Sequence, residues 1–286
     1  MAAQNFGEIA ERLRRSTVQV QVGGGGERGS GSGVVWTNGG VIITNAHVAR
    51  DTHATVALWD GRQLPAELRT QDRRRDLASL RVQGRDLTAA VPGDSSSLRP
   101  GELVIAVGNP LGFTGALSTG CVHALGPLRG LGRQNWIQAD VRLLPGNSGG
   151  PLADSEGRVV GINTMIAGGL ALAIPSNAVA EFLRRGHSDI SLGVTIQPVP
   201  VDTATGRSLG MLVLTVGTGS AAAEASLIPG DLLIGAGGQR FRSVDDLADA
   251  IEAAAGSVLR LEFLRGDRRA ARHVAVRLGE VRAEAA

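Results

Sequence analysis

Apolar positions along this chain follow two periods, and the switch between them marks its organisation. Phe6, Ile9 and Leu13 fall at helical spacing and predict a short amphipathic helix over residues 5–15. Val18, Val20 and Val22 then alternate with Gln19 and Gln21, the pattern of a half-buried strand. A Gly/Ser-rich loop is expected from Gly23 to Gly33. Val34-Val35-Trp36 and Val41-Ile42-Ile43 flank Asn38-Gly39, and the runs 56–59 and 63–68 flank Asp60-Gly61. Both read as hairpins. Further short apolar runs lie at 77–82, 103–107, 116–125, 136–141, 158–166 and 170–174. Many short strands separated by turn residues argue for an all-β barrel or sandwich.

The period lengthens over residues 176–185, where Val179, Phe182 and Leu183 share a helical face. Ser176 follows Pro175 as the expected N-cap, and Gly186 is the expected stop. The polar His187-Ser188-Asp189 reads as a linker. The chain therefore divides into an N-terminal helical segment (1–15), a β domain (16–186) and a smaller α+β domain (187–286). In the last, strands are expected at 191–197, 211–216, 231–236, 258–264 and 274–278. One helix is expected at 244–255, with Val244, Leu247, Ala248 and Ile251 on its apolar face. Ser243 is its cap, with Asp246 reaching back.

Composition narrows the function. Hydrophobic residues make up 43% of the 286, enough for packed cores, and 41 glycines favour turns over long helices. All 29 basic side chains are Arg, so no Walker A motif exists. The Arg73-Arg74-Arg75 cluster is short and lacks interleaved aromatics, which argues against nucleic acid as a partner. Cys121 is alone, excluding an internal disulfide, and reads as a small core residue. The longest apolar-and-Gly run, Met165 to Ile174, is too short to span a membrane. Residues 1–18 carry Glu8, Glu11, Arg12, Arg14 and Arg15 and no apolar signal core. The expectation is a cytoplasmic chain, or a periplasmic one whose leader or anchor is not part of this sequence. With no HExxH and no Cys/His cluster, neither metal nor cofactor is expected.

Chemistry concentrates in Gly146-Asn147-Ser148-Gly149-Gly150-Pro151. A serine hydroxyl attacks poorly unless a base takes its proton, and the resulting oxyanion needs N–H donors. The amides of Gly146 and Ser148 are the natural pair. A glycine-rich turn with a surface serine is the bland alternative. The nucleophile elbow of α/β-hydrolases is excluded: the residues after Ser148 read strand–turn–strand, and the candidate His and Asp precede the serine. His47 follows the strand Val41–Thr44, a position suited to a rigidly held base. Asp76 precedes Leu77, Leu80 and Val82, which would carry its carboxylate toward the core. Asp72 is a competitor for the same role.

Thr44-Asn45-Ala46-His47-Val48, Asp76-Leu77-Ala78, Gly108-Asn109-Pro110, the glycine-rich serine string and Ala173-Ile174-Pro175-Ser176 together resemble the HtrA/Deg serine proteases over roughly residues 15–286. The resemblance implies a mainly β chain: a chymotrypsin-like double β-barrel with its active site between the barrels, followed by a PDZ domain. It implies His47 as general base, Asp76 as its orienter and Ser148 as nucleophile. Leu170, Ala171 and Leu172 take the place of the primary specificity pocket, which suggests cleavage after small aliphatic residues. Ser191-Leu192-Gly193-Val194 resembles a carboxylate-binding loop, with Leu192, Val194, Leu247 and Ile251 around the pocket for a peptide's last side chain. The implied protein is a trimeric, ATP-independent endopeptidase of unfolded or damaged proteins, acting in quality control under stress. Its PDZ domain would bind peptide C-termini. Arg142-Leu143-Leu144 departs from the Ala-Ile-Asn usual in the family, and the loops at 23–33 and 166–170 are short for it. A chaperone or peptide sensor on a protease scaffold is the alternative.

Overall fold

Two runs of six short strands each close on themselves. The first barrel comprises β1 (Thr17–Val22), β2 (Gly29–Val35), β3 (Val41–Thr44), β4 (His53–Ala57), β5 (Gln63–Asp72) and β6 (Leu77–Val82), in spatial order β1-β2-β3-β6-β5-β4. The second comprises β7 (Leu103–Gly108), β8 (Ala116–Pro127), β9 (Asn135–Ala139), β10 (Pro151–Asp154), β11 (Val159–Ala167) and β12 (Leu170–Pro175), in order β10-β11-β12-β9-β8-β7. Helix α1 (Phe6–Ser16) precedes them and α2 (Ser176–Arg185) follows. This computed structural model describes residues 6–23, 29–128, 131, 134–185, 191–203, 206–266 and 270–279. The chain divides into two units, Met1–Arg184 and Arg185–Ala286. The expected linker at 187–189 lies outside the described residues.

Closure leaves neither barrel a free sheet edge. Each barrel fills its interior with its own inward-facing residues, Val18, Val20, Ile42, Val56 and Leu80 in the first and Val104, Val122, Ile137 and Leu152 in the second. A third cluster lies between them. It joins Val34, Ile43 and Leu77 of the first barrel to Ile105, Val107, Ile162 and Leu172 of the second, with Ile9 and Leu13 of α1 and Val179 and Phe182 of α2. The apolar stripe of α1 is therefore spent inside the protease unit, while Phe6 remains half exposed. The helix passes straight into β1, and the Leu13 carbonyl in its last turn accepts both the Ser16 (3.0 Å) and Thr17 (2.8 Å) hydroxyls.

Three expectations need correction. Residues 29–33, expected in a loop, are the first five of β2, paired with β1 from Val22↔Gly29 to Val18↔Gly33. Glycine is there for close approach: a Cβ on Gly31 would lie 2.7 Å from both methyls of Val48, and one on Gly33 would lie 2.9 Å from Ile42. Ser176 does not serve as a simple cap, because its hydroxyl donates to the Gly93 carbonyl at 2.7 Å and accepts from the Ser95 amide at 3.2 Å. Cys121 is half-buried on β8 and belongs to no core cluster.

The second unit holds β13 (Val194–Thr203), β14 (Gly206–Val216), α3 (Ala221–Glu224), β15 (Leu232–Ala236), β16 (Gln239–Arg240), α4 (Val244–Ala253), β17 (Val258–Leu264) and β18 (Arg272–Arg277). The sheet runs β13-β14-β15-β17-β18, so β13 lies at an edge. It continues past the predicted end at 197 through Pro198 and Pro200. Proline cannot donate to a ladder, but an edge strand has a side where no donor is required. The predicted reach of Asp246 back to the Ser243 amide is present at 2.9 Å. Asp231, with no exposed surface, is fixed by both arms of Arg265 at 2.6 Å and accepts the Ile228 amide at 2.9 Å. Arg265 also lies 5.1 Å over the Phe263 ring.

Candidate active site

β3 ends at Thr44, and the chain turns at once through Asn45-Ala46-His47. Buried Asn45 forms this turn: its carbonyl accepts the Val48 and Ala49 amides, and its side-chain NH2 donates to the Asp76 carbonyl at 2.9 Å. Gln71 braces the other side, donating to the carbonyls of Ala46 (3.1 Å) and Ala49 (3.0 Å). His47 is thus projected from a fixed backbone. Asp76, in the turn immediately before β6, has φ +56, a left-handed conformation that Asp tolerates better than most residues. Held there, its carboxylate accepts the His47 ring Nδ1 at 2.8 and 3.0 Å and the His47 amide at 3.0 Å. Asp72, the competing carboxylate, instead pairs with Arg75 at 2.8 Å.

The third donor to Asp76 comes from the other barrel. Thr164 donates its hydroxyl to Asp76 Oδ2 at 2.6 Å. The β11–β12 register slips between Asn163 and Met165, and this bulge falls on Thr164. Bulges next to active sites commonly re-aim a side chain in this way. Burial pulls the Asp76 carboxyl upward, but the His47 ring, the Thr164 hydroxyl and the His47 amide outweigh it and hold the carboxyl below its ordinary value.

Ser148 meets the same threonine. Its hydroxyl donates to the Thr164 carbonyl at 2.7 Å, while His47 Nε2 has no hydrogen-bond partner among the described residues. The serine loop is built around its carbonyls. Gly146 C=O accepts the Ser32 hydroxyl (2.6 Å), Asn147 C=O accepts the Gly150 amide (3.0 Å), and Ser148 C=O accepts the Ser32 amide (2.7 Å). The Asn147 amide donates to Leu144 C=O and the Gly149 amide to Asn163 C=O. Of the amides from Gly146 to Gly150, those of Gly146 and Ser148 have no partner among the described residues. Gly149 has φ +88, and a Cβ there would lie 2.1 Å from the Ser32 carbonyl, so no other residue fits.

The unusual Arg142-Leu143-Leu144 is accommodated. Leu143 is buried in the second barrel's core, and the Arg142 amide is held by Ser118 at 2.8 Å. The three residues assigned to the specificity pocket lie on β12, opposite Met165, Ile166 and Ala167 of β11. Leu170 is half-buried, whereas Ala171 and Leu172 are buried in different core clusters. Met165 and Ile166, which the sequence reading did not single out, are exposed directly after Thr164.

In the second unit Leu192 and Leu247 are buried in one cluster with Val194 and Ile251 against it. Gly193 has φ +69, and a Cβ there would lie 2.3 Å from Ser220 Cβ. The amides of Leu192 and Gly193 have no partner among the described residues.

Thr164 and Ser32 were missed. A polar pair, Asn163-Thr164, inside the apolar run 158–166 was the available signal for the first. Nothing in a Gly-Ser repeat distinguishes Ser32 from a linker residue.

Known protein families match both units. A Trypsin-like peptidase domain profile matches residues 31–162 and a PDZ domain profile matches residues 212–265. The putative serine protease HhoA of Synechocystis is 35% identical over 84% of this chain, which spans 68% of that protein. The probable periplasmic serine endoprotease DegP-like of Brucella suis is 38% identical over 76% of this chain, which spans about half of that protein (46%). The solved structure of the HtrA-type protease AlgW with decapeptide superimposes with a TM-score of 0.70 at 25% identity, covering 96% of this chain and 98% of that one. With its two closed barrels, its PDZ unit and these relatives, the chain belongs to the HtrA/DegP family of serine proteases.

Proposed function

We propose that this chain is an ATP-independent serine endopeptidase in which His47, Asp76 and Ser148 form the catalytic triad. One observation carries the reading. His47 and Asp76 of the first barrel and Ser148 of the second meet through Thr164, beside two unpartnered amides. In the reaction Ser148 Oγ turns from the Thr164 carbonyl to His47 Nε2, gives up its proton there and attacks the scissile carbonyl carbon. Asp76 holds Nδ1–H and stabilises the imidazolium. The Gly146 and Ser148 amides receive the oxyanion, where one such donor contributes about 10²–10³ in rate. His47 then passes the proton to the leaving amine, and water repeats the sequence on the acyl-enzyme.

Substrates are unfolded or damaged proteins, cleaved after small aliphatic residues. The PDZ unit selects or regulates them by binding peptide C-termini. The unpartnered Leu192 and Gly193 amides support carboxylate capture, and the edge position of β13 supports addition of a peptide as a further strand. Trimeric assembly is proposed from the family alone. A scaffold without turnover is disfavoured by relatives named as proteases.

The test is casein cleavage and fluorophosphonate labelling of purified protein, with and without a peptide bearing a free apolar C-terminus. Wild type cleaves and labels, and Ser148→Ala does neither, a loss on the order of 10⁴–10⁶ in turnover. Undiminished cleavage by Ser148→Ala removes the assignment. Binding of the C-terminal peptide that survives its amidation removes the PDZ reading.

A further inference from the structure

We propose that Ser32 is the positioning residue of the oxyanion site, a role resting on the triad reading above. Ser32 lies on β2 of the first barrel, and it has no exposed surface. Each of its polar groups is committed outside its own strand. Its hydroxyl donates to Gly146 C=O at 2.6 Å and accepts the Asn109 amide at 2.8 Å. Its amide donates to Ser148 C=O at 2.7 Å, and its carbonyl accepts the Thr44 hydroxyl at 2.6 Å.

The two residues held through their carbonyls are the two whose amides stay free. That coincidence has a mechanical meaning. A peptide N–H shares one rigid plane with the carbonyl of the preceding residue, and the aim of that plane depends on how the adjoining planes are held. Gly146, at φ +103, has conformational freedom that no side chain limits. Pinning its carbonyl fixes the plane that follows Gly146 and so limits how the plane carrying its N–H can turn, without occupying that amide. Ser148 is pinned in the same way one residue beyond Asn147. Both anchors come from one residue of the opposite barrel, and that residue is also tied to Thr44, three positions before His47. The oxyanion donors and the base are therefore referred to a common point. The Asn109 amide orients the Ser32 hydroxyl, so its proton is directed to Gly146 rather than shared.

Ser32 touches neither substrate nor reacting atoms in this arrangement, so its loss acts through the aim of two N–H groups. Aim matters for the tetrahedral oxyanion and little for ground-state binding. The experiment compares wild type, Ser32→Ala and Ser32→Cys, the last keeping the bulk with a much weaker donor. Folding is checked by thermal scan, and active sites are counted by fluorophosphonate titration. Turnover of a peptide substrate per titrated site is then measured beside inhibition by a peptide boronic acid, whose tetrahedral adduct places an oxygen in the same hole.

For Ser32→Ala, kcat per titrated site falls about 10- to 100-fold, less than deletion of a donor. KM stays within about threefold, and boronate affinity weakens in proportion to kcat/KM. Ser32→Cys falls between alanine and wild type. An unchanged kcat per site overturns the role, even if fewer molecules are active, because that is loss of folded protein alone. Equal changes in KM and kcat also overturn it. If only Ser32→Cys folds, a reduced kcat with unchanged KM supports the role and an unchanged kcat overturns it. If neither folds, Ser32 is a folding residue and the proposal is wrong. A folded wild type that neither labels nor cleaves removes the triad reading and this one with it. An active wild type with an undiminished Ser32→Ala removes this one alone.

Discussion

Replacing Thr164 by valine tests how the site is held together. Valine keeps the branched shape at a position only 3% exposed on a strand, so the cavity stays filled. What goes is the 2.6 Å donation to Asp76 Oδ2, while the carbonyl that receives Ser148 remains. A hydrogen bond to a charged, largely buried acceptor contributes about 1.5–3 kcal/mol. In a unit of this size each kcal/mol shifts Tm by about 2–4 °C, so the expected fall at pH 7 is roughly 3–12 °C. If all of that energy held Asp76 and His47 in place for the transition state, kcat would fall by at most about 10- to 150-fold with KM little changed. The pH dependence gives the sharper check. Because the folded-state pKa of Asp76 is depressed, its stabilisation is complete above the unfolded carboxyl value near 3.9 and is lost as pH falls through the folded value. Thr164 contributes part of that depression. The Tm gap between wild type and Thr164→Val is therefore full at pH 7 and shrinks near pH 3 toward that of a neutral hydrogen bond, about 1 kcal/mol. Calorimetry at the two pH values decides it. An equal gap at both, or none at pH 7, refutes the argument.

Three other perturbations follow from the packing. Leu13→Ala removes a 1% exposed side chain from the cluster shared by both barrels and costs about 2–5 kcal/mol, read from denaturant midpoints. Gly149→Ala sets a methyl 2.1 Å from the Ser32 carbonyl at φ +88, and fluorophosphonate labelling is lost even where circular dichroism is retained. Asp231→Ala removes the buried acceptor of the Arg265 guanidinium and the Ile228 amide and costs about 1–3 kcal/mol, seen as a lower-temperature unfolding transition in a calorimetric scan.

Much of this fold is written in local signals. Asn38-Gly39 and Asp60-Gly61 lie between paired strands, and the periodic runs at 6–13, 179–183 and 244–251 are helices. The misses share a cause. Gly29 to Gly33 carry no apolar side chain to reveal a period, and Gly31 and Gly33 enter a strand where Val48, Ile42 and Val20 leave no room beside them. Pro198 and Pro200 end a strand by propensity and are tolerated because β13 has an open side. Residues 221–224 form a helix too short for a periodic signal, capped by Ser220 donating no pattern but accepting the Ala223 amide at 3.2 Å. In each case tertiary placement, invisible in a window of neighbours, decided the outcome.

The same distinction separates the triad from its supports. His47, Asp76 and Ser148 are recognisable because their chemistry demands particular residue types in recognisable strings. Thr164 and Ser32 act only through where they stand: one links the carboxylate of one barrel to the serine of the other, and one links the strand before the base to the loop around the oxyanion amides. Both bridges link the same two barrels that the interbarrel cluster joins, a cluster that α1 and α2 help to fill. Alignment of the site therefore depends on that shared core, and destabilising it at Leu13 should reduce labelling of Ser148 before either barrel's own interior is disturbed.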